Sequence, residues 1–160
     1  MIEEEKLEIL PLNVIYPDPK QPREHFDPTG LDSLAESIKK DGLLEPIMVR
    51  PIKTGRFMIV HGERRFRAAG IAGIKKIKAI VRPMTEKEAY RLSAIENIQR
   101  NDLTAIEEAR VFQRFRDYGI TQAEIGAIFG KTQGAISHAL TLLSLPEGLL
   151  YYTETAALTE

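Results

Sequence analysis

The chain has 160 residues, of which 43% are hydrophobic and 28% are charged, a composition typical of globular proteins and not of disordered or fibrous ones. It contains no cysteine, which excludes a disulfide framework, a thiolate zinc site and a cysteine nucleophile. No uncharged apolar stretch is long enough to span a bilayer, and the acidic start of the chain does not resemble a signal or transit peptide. We therefore expect a soluble intracellular protein that does not bind a membrane.

The formal net charge of −1 conceals an uneven distribution of charge along the chain. Residues 1–50 carry 6 basic and 11 acidic side chains, residues 51–90 carry 10 and 3, and residues 91–160 carry 6 and 9. An anionic ligand is therefore expected to bind to the middle of the chain.

The part of the chain before Met84 predicts alternating strands and helices. A short apolar strand at Leu7–Leu12 precedes the loop Tyr16–Arg23, in which three prolines exclude a helix. An amphipathic helix that ends at Asp41-Gly42 is predicted by the spacing of Leu31, Leu34, Ala35 and Ile38. The remaining predicted elements are strands Pro46–Pro51 and Arg56–Val60 joined by residues 52–55, a helix Glu63–Gly70 and a strand Lys76–Arg82.

From Met84 onward the pattern predicts helices. Three threonines are each followed three positions later by a glutamate, the pattern of a capping box, in which each side chain satisfies a backbone amide at the helix start. These pairs are Thr85 with Glu88, Thr104 with Glu107, and Thr121 with Glu124. The sequence therefore predicts an α+β protein, with a small mixed α/β domain followed by an all-helical domain and a break between Arg82 and Thr104.

The densest candidate binding motif is residues 60–70, where a predicted strand runs through Gly62 into a helix. A helix start presents free amide donors and partial positive charge, and glycine lets the backbone approach an anion closely. Arg64, Arg65 and Arg67 add forked donors that match phosphate oxygens. We interpret the motif as a phosphate-binding site. The alternative is a solvated basic face whose arginines pair with neighbouring carboxylates.

A second polar run, Glu96–Asp102, lies where a predicted helix ends. The Glu96 carboxylate and the Asn97 amide could supply oxygen ligands to Mg²⁺, which often takes one or two protein ligands and completes its shell with water and phosphate oxygens. The alternative is an ordinary helix C-terminus. The three histidines have no metal-ligand spacing and are interpreted as isolated polar residues; they are His25, His61 and His138.

Residues 118–140 predict two short helices separated by a turn at Gly130, the pattern of a helix-turn-helix. The second helix, capped by Thr132, displays hydrogen-bonding side chains that suit base edges, and a lysine before it suits a phosphate. The expected DNA-binding residues are Lys131, Thr132, Gln133, Gly134, Ser137 and His138. The alternative is an ordinary helical hairpin.

Taken together, these motifs resemble the ParB/Spo0J/Noc family of chromosome- and plasmid-segregation proteins. Three segments are similar to the three N-terminal boxes of that family, in order, and the predicted helix-turn-helix follows them. The segments are Gln21-Pro22-Arg23, residues 62–69, and residues 96–100 through 107–109. The resemblance covers nearly the whole chain and implies a ParB-like N-terminal CTP-binding domain at residues 1–100 and a helix-turn-helix DNA-binding domain at residues 101–160.

The resemblance implies a CTP-dependent DNA clamp that binds CTP with Mg²⁺, hydrolyses CTP slowly, loads as a homodimer at a palindromic centromere-like site and slides along double-stranded DNA. It implies that Glu96 is catalytic and that Glu96 and Asn97 bind the metal. The residues implied for the nucleotide are Gly42, Leu43, Leu44, Glu45 and Pro46 at the cytosine, with His61, Gly62, Glu63, Arg64, Arg65, Arg67, Asn97 and Arg100 in the rest of the site. Such a protein acts in the cytoplasm, on the nucleoid or a plasmid.

The chain departs from the family pattern at both ends. The family often has a basic N-terminal tail that binds a partner ATPase of the ParA type, whereas this chain has three consecutive glutamates at residues 3–5. The family also has a C-terminal dimerisation domain, whereas this chain ends at Glu160, soon after the helix-turn-helix. We expect either a truncated chain or another mode of dimerisation.

Two other functions are compatible with parts of the pattern. The nucleotide-binding fold also resembles sulfiredoxin and a small-molecule serine kinase; sulfiredoxin chemistry needs a cysteine, and a kinase does not explain a DNA-reading motif. A site-specific transcriptional regulator without nucleotide switching is the other alternative, in which residues 62–67 are merely structural. Nucleotide binding distinguishes the regulator from the clamp.

Overall fold

The computed structural model of the chain describes residues 4–20, 28–101 and 103–150. The chain divides into two compact units, and the division falls inside a helix, between Leu92 and Ser93. Within the described ranges, no helix is long and apolar enough to cross a membrane. The predicted α+β organisation, with a mixed part followed by a helical part, is confirmed.

The first unit contains a mixed five-stranded sheet with the strand order β1-β5-β3-β4-β2. The pairs β1–β5 and β3–β4 are antiparallel, whereas β3–β5 and β2–β4 are parallel. The strands are β1 (Lys6–Pro11), β2 (Ile15–Tyr16), β3 (Ile47–Lys53), β4 (Arg56–His61) and β5 (Lys76–Val81). The helices are a 3₁₀ turn (Leu12–Val14), α1 (Pro28–Asp41), α2 (Glu63–Ile71) and the start of α3 (Glu86–Gln99).

The core of the first unit lies on one face of this sheet, because alternate residues of each strand point to the same side. Ile47, Val49, Ile59 and Ile77 are at most 2% exposed there. Helices α1 and α2 contact each other through Ala35, Ile38 and Ala68, which form a further buried cluster. This packing fixes the start of α2 beside the end of β4.

Two details of the first unit differ from the sequence prediction. Strand β3 continues past Pro51 to Lys53, so the link to β4 is only Thr54-Gly55. The pairing register shifts between Pro51 and Lys53, and a bulge of this kind accommodates a proline, which has no N–H to donate to the ladder. Strand β2 was not predicted, because two residues are too few to show a period.

The second unit is helical and contains the end of α3, α4 (Ala105–Asp117), α5 (Gln122–Phe129) and α6 (Gln133–Leu142). Its core includes Phe112 and Phe115. Their ring centroids lie 5.5 and 5.3 Å, respectively, from the ring centroid of Phe129. Ile125 and Ile136 are fully buried, so the two helices of the predicted helix-turn-helix pack inward by their apolar faces.

The three predicted capping boxes are all present. The Thr104 and Thr121 side chains each accept a hydrogen bond from the backbone amide of the glutamate three positions later. The side chain of that glutamate accepts a hydrogen bond from the backbone amide of the threonine. At the start of α3, the Thr85 amide donates to Glu88 Oε2 at 2.8 Å. Hydrogen bonds from the Thr85 backbone and side chain hold the pKa of the Glu88 carboxyl below its ordinary value.

Candidate functional site

The junction of β4 and α2 is built around Gly62, which has a left-handed φ of 95°. A Cβ at this position would lie 2.9 Å from Ile47 Cγ2, so a side chain here would have both a strained backbone and a steric clash. The N-cap of α2 is Gly62, which has no side chain to cap the helix start. The first-turn amides of this helix lie at the position where the sequence predicts an anion.

The three arginines of α2 differ in their surroundings. Arg67 donates to Glu63 Oε1 from Nε at 2.9 Å and from Nη2 at 2.5 Å, and the Glu63 residue is only 8% exposed. Arg64 is exposed, and in the described part of the chain its side chain makes no hydrogen bond or ion pair. Arg64 is thus the arginine whose guanidinium is available to a ligand without breaking a contact.

Arg65 points to the loop between α1 and β3. Its Nη1 donates to the carbonyl oxygens of Pro46 at 2.8 Å and Glu45 at 3.4 Å. Its Nη2 lies 3.2 Å from His61 Nε2. Because a guanidinium only donates, the imidazole Nε2 is the acceptor in this contact.

The loop of residues 42–46 begins with Gly42, which has a φ of 77° and donates its amide to Ile38 O at 2.8 Å, closing α1. Leu43 is half-buried and packs against both cores of the first unit. Leu44 is 82% exposed and Glu45 is also exposed. The predicted cytosine-binding residues therefore form a loop that is anchored at Leu43 and open to solvent at the next two positions.

Glu96 and Asn97 lie on the last turns of α3, in the second unit. Asn97 is 7% exposed and its Nδ2 donates to Ser93 O at 2.9 Å, so its oxygen is the atom suited to a cation. Glu96 pairs with the predicted ligand-binding residue Arg100 at 2.7 Å. No group of three or more His, Asp or Glu in the described ranges is arranged to hold a metal, so a magnesium prediction depends on this pair. A carboxylate and an amide oxygen fit that ion's preference.

The predicted helix-turn-helix is observed in the second unit. Thr132 accepts a hydrogen bond from the Ala135 amide at 3.1 Å and thereby caps α6. Gly130 ends α5 with a φ of 66°. The predicted DNA-binding residues are all exposed; they are Lys131, Thr132, Gln133, Gly134, Ser137 and His138.

Lys131 has a partner that the sequence pattern did not predict. Its Nζ lies 2.8 Å from Glu108 Oε1 on α4. Both residues line a cavity of about 670 Å³ in the second unit, together with Ile98, Leu103 and Phe129. The pair is separated by more than 20 positions in the chain, so no local spacing signals it.

The sequence pattern also did not identify Gly126 as a residue that the turn requires. A Cβ on Gly126 would lie 2.4 Å from the Lys131 carbonyl oxygen, which is closer than any real contact of this kind. The Gly126 carbonyl accepts the Lys131 amide at 2.8 Å, so the two backbones meet at this point. A glycine inside an otherwise helical pattern, just before a turn, is the signal that could have identified it.

Some predicted features lie outside the described residues. They are Gln21-Pro22-Arg23, His25 and Asp102.

Comparison with known proteins gives matches along the whole chain. Residues 1–98 match the model of the ParB N-terminal domain and residues 101–160 match that of the ParB HTH domain. The chromosome-partitioning protein Spo0J of Thermus thermophilus is 43% identical over 150 residues, which cover 94% of this chain and 55% of that protein. The chain spans about half the length of the curated relatives it matches.

Two solved structures of C-terminally truncated ParB from Caulobacter crescentus also match. The complex with CTP-gamma-S has a TM-score of 0.56 and 34% identity, covering 96% of this chain and 87% of that one. The complex with the centromeric parS site has a TM-score of 0.68 and 33% identity, covering 93% and 78%.

Proposed function

The chain belongs to the ParB family, and from this membership we propose that it is a centromere-binding partition protein that works as a CTP-dependent DNA clamp. The observation that carries the proposal is the glycine N-cap of α2 at Gly62, followed by three arginines, in a chain that also exposes polar residues on the second helix of a helix-turn-helix. Similar Caulobacter chains have been solved with CTP-gamma-S and with parS DNA, which supports both halves of the proposal.

The proposed nucleotide site uses the first-turn amides of α2 and the exposed Arg64 for the phosphates, with the loop of residues 42–46 at the cytosine. Glu96 and Asn97 are the proposed magnesium ligands. When bound, the ion would neutralise charge on the phosphate oxygens. Glu96 is also the proposed catalytic residue, which would orient the water that attacks the terminal phosphorus as CTP is cleaved to CDP and phosphate.

The proposed DNA contacts are made by α6 in the major groove. Gln133, Ser137 and His138 are exposed on this helix and can hydrogen-bond to base edges. One such helix covers only a half-site, so we propose that two chains bind an inverted repeat as a homodimer. This partition function would be carried out on the nucleoid or on a plasmid.

The decisive test of the proposal is calorimetry with CTP, UTP, ATP and GTP in the presence of Mg²⁺, with and without a palindromic duplex. We expect CTP to bind preferentially and the duplex to alter its affinity by linkage. The variant Gly62→Ala should lose CTP binding, because its Cβ displaces the start of α2.

Gly73→Ala is the matched control for that variant. Gly73 also has a positive φ, 74°, and follows the end of α2, but a Cβ there meets nothing within 4 Å. Equal affinity for all four nucleotides, or equal losses in the two variants, would reject the proposed site.

A site-specific transcriptional regulator without nucleotide switching is the second candidate. It is favoured by one observation: Arg65 and Arg67 both bond to groups within the protein, so part of the basic cluster is satisfied without an anion. Specific DNA binding that no ribonucleotide changes would favour this candidate over the clamp.

A further inference from the structure

Arg65 is the most enclosed of the three α2 arginines, with a side chain only 18% exposed, compared with 46% for Arg67. Its guanidinium donors contact protein atoms: two successive backbone carbonyls, one ring nitrogen and, at 3.5 Å, the exposed carboxylate of Glu45. A residue whose main role is to meet a triphosphate would present these donors to solvent in the absence of a ligand, as Arg64 does.

The two carbonyls belong to the loop that is proposed to contact the nucleobase. This loop is fixed at its start by Leu43 and at its end by Ile47, the first residue of β3. Between them, Leu44 and Glu45 are exposed and have no regular secondary structure. Hydrogen bonds from a charged donor are stronger than neutral ones, so the contacts of Arg65 restrain the part of the loop that packing leaves open.

We propose that Arg65 is a positioning residue that holds the loop of residues 42–46 against the end of β4 and thereby sets the base specificity of the nucleotide site. The inference rests on the proposed function, because it assumes that a nucleotide binds here. Base discrimination needs hydrogen-bonding groups in fixed positions, since a loop that relaxes by about 1 Å accommodates a competing base. His61 supports the same arrangement by accepting from Nη2.

This role makes a different prediction from direct phosphate binding. A ligand of the terminal phosphate contributes to the affinity for CTP and not to that for CDP, so its loss separates the two affinities, and a ligand of any phosphate leaves the preference for CTP over UTP unchanged. A positioning residue acts on the base, which CTP and CDP share, so its loss lowers both affinities by the same factor and weakens discrimination against UTP.

The test uses Arg65→Lys and Arg65→Gln, with Arg64→Gln as the matched control on the adjacent exposed arginine. A lysine keeps the charge but lacks the planar fork that reaches two carbonyls and a ring nitrogen together. Calorimetry with CTP, CDP and UTP should show a loss of about tenfold or more for CTP and CDP alike in both Arg65 variants. The preference for CTP over UTP should fall.

Arg64→Gln should instead weaken CTP more than CDP and leave the preference for cytosine unchanged. If the Arg65 variants behave like Arg64→Gln, Arg65 is a phosphate ligand and the inference is wrong. Retention of the CTP-to-UTP preference in Arg65→Lys would also overturn it.

A second measurement needs no nucleotide and so separates the inference from the proposed function. Backbone ¹⁵N order parameters of Leu44 and Glu45 in the free protein should be near the rigid value of about 0.85 and fall toward about 0.6 in Arg65→Lys. The Arg64→Gln variant should leave them unchanged. Unchanged order parameters in Arg65→Lys overturn the positioning role even if CTP binds, whereas a fall in a protein that binds no nucleotide supports the restraint and rejects the proposed function.

Discussion

Lys131 lies just before α6, the proposed DNA-reading helix, and its ammonium group is paired with Glu108 in the absence of DNA. Contact with a DNA phosphate would compete with this pair. The glutamate is 25% exposed and the lysine 38%, so the pair is partly screened by water and its rupture has a modest cost. We therefore predict that Glu108 lowers DNA affinity without touching DNA.

The variant Glu108→Gln is expected to bind specific and random duplexes more tightly by the same factor, up to about fivefold. Fluorescence anisotropy at fixed salt measures both affinities. Asp117→Asn is the control, because it removes one negative charge from the same helix at an exposed residue whose partner is Gln113. If the control raises affinity equally, the effect is due to net charge alone.

Gln133 is expected to read sequence, in contrast to Lys131. Gln133→Ala should weaken binding at the preferred site by roughly 1 to 3 kcal/mol and relax specificity there, because a bidentate contact to a base edge is lost. Lys131→Ala should weaken binding to all duplexes alike. Competition between specific and random duplexes provides the measurement, and equal losses on both for Gln133→Ala would exclude base reading by this residue.

At the scale of helices and strands, the turn between α5 and α6 depends on Gly126. Gly126→Ala places a methyl group 2.4 Å from the Lys131 carbonyl, so the turn must shift and the free energy of unfolding should fall by about 1 to 3 kcal/mol. Gly134→Ala in α6 is the control, because its Cβ lies 4.0 Å from the nearest atom and alanine favours a helix. Urea unfolding measures both, and equal destabilisation would contradict the clash.

Local patterns predicted most of the elements, because caps, turns and periodicity act over a few residues. The three capping boxes and the glycine turn at Gly130 are examples. What the sequence could not predict depends on contacts between distant positions, such as the pairing of β2 with β4 and the contacts of Arg65 with Glu45 and Pro46. The exposed face of α6 could be predicted from its amphipathic pattern. The ion pair of Lys131 with Glu108 could not, because no local spacing connects the two residues.

At the scale of the whole molecule, the clamp proposal requires that nucleotide and DNA change how two chains associate. Thr29 is exposed near the start of α1, and the chain has no native cysteine to interfere with labelling. In Thr29→Cys, crosslinking between subunits by a bismaleimide should rise when both CTP and a palindromic duplex are present. A ligand that binds the associated pair of chains more tightly than the separate chains shifts the equilibrium toward association, by the difference between its two affinities.

Thr54→Cys, in the exposed turn between β3 and β4, is the control for that crosslink. If CTP and the duplex raise the crosslinking yield equally in Thr29→Cys and Thr54→Cys, the increase reflects crowding of chains on the duplex. A Thr29→Cys yield that does not depend on CTP would replace the clamp with a static DNA-binding protein.

The exposed side chain of Leu44 offers an optical probe of the proposed site. The protein contains no tryptophan, so Leu44→Trp would introduce its single indole at a position that is 82% exposed in the wild type. A nucleobase that stacks on this indole should quench its emission, whereas a ligand held only by its phosphates should not. Fluorescence from one side chain would then distinguish base recognition from anion binding in real time.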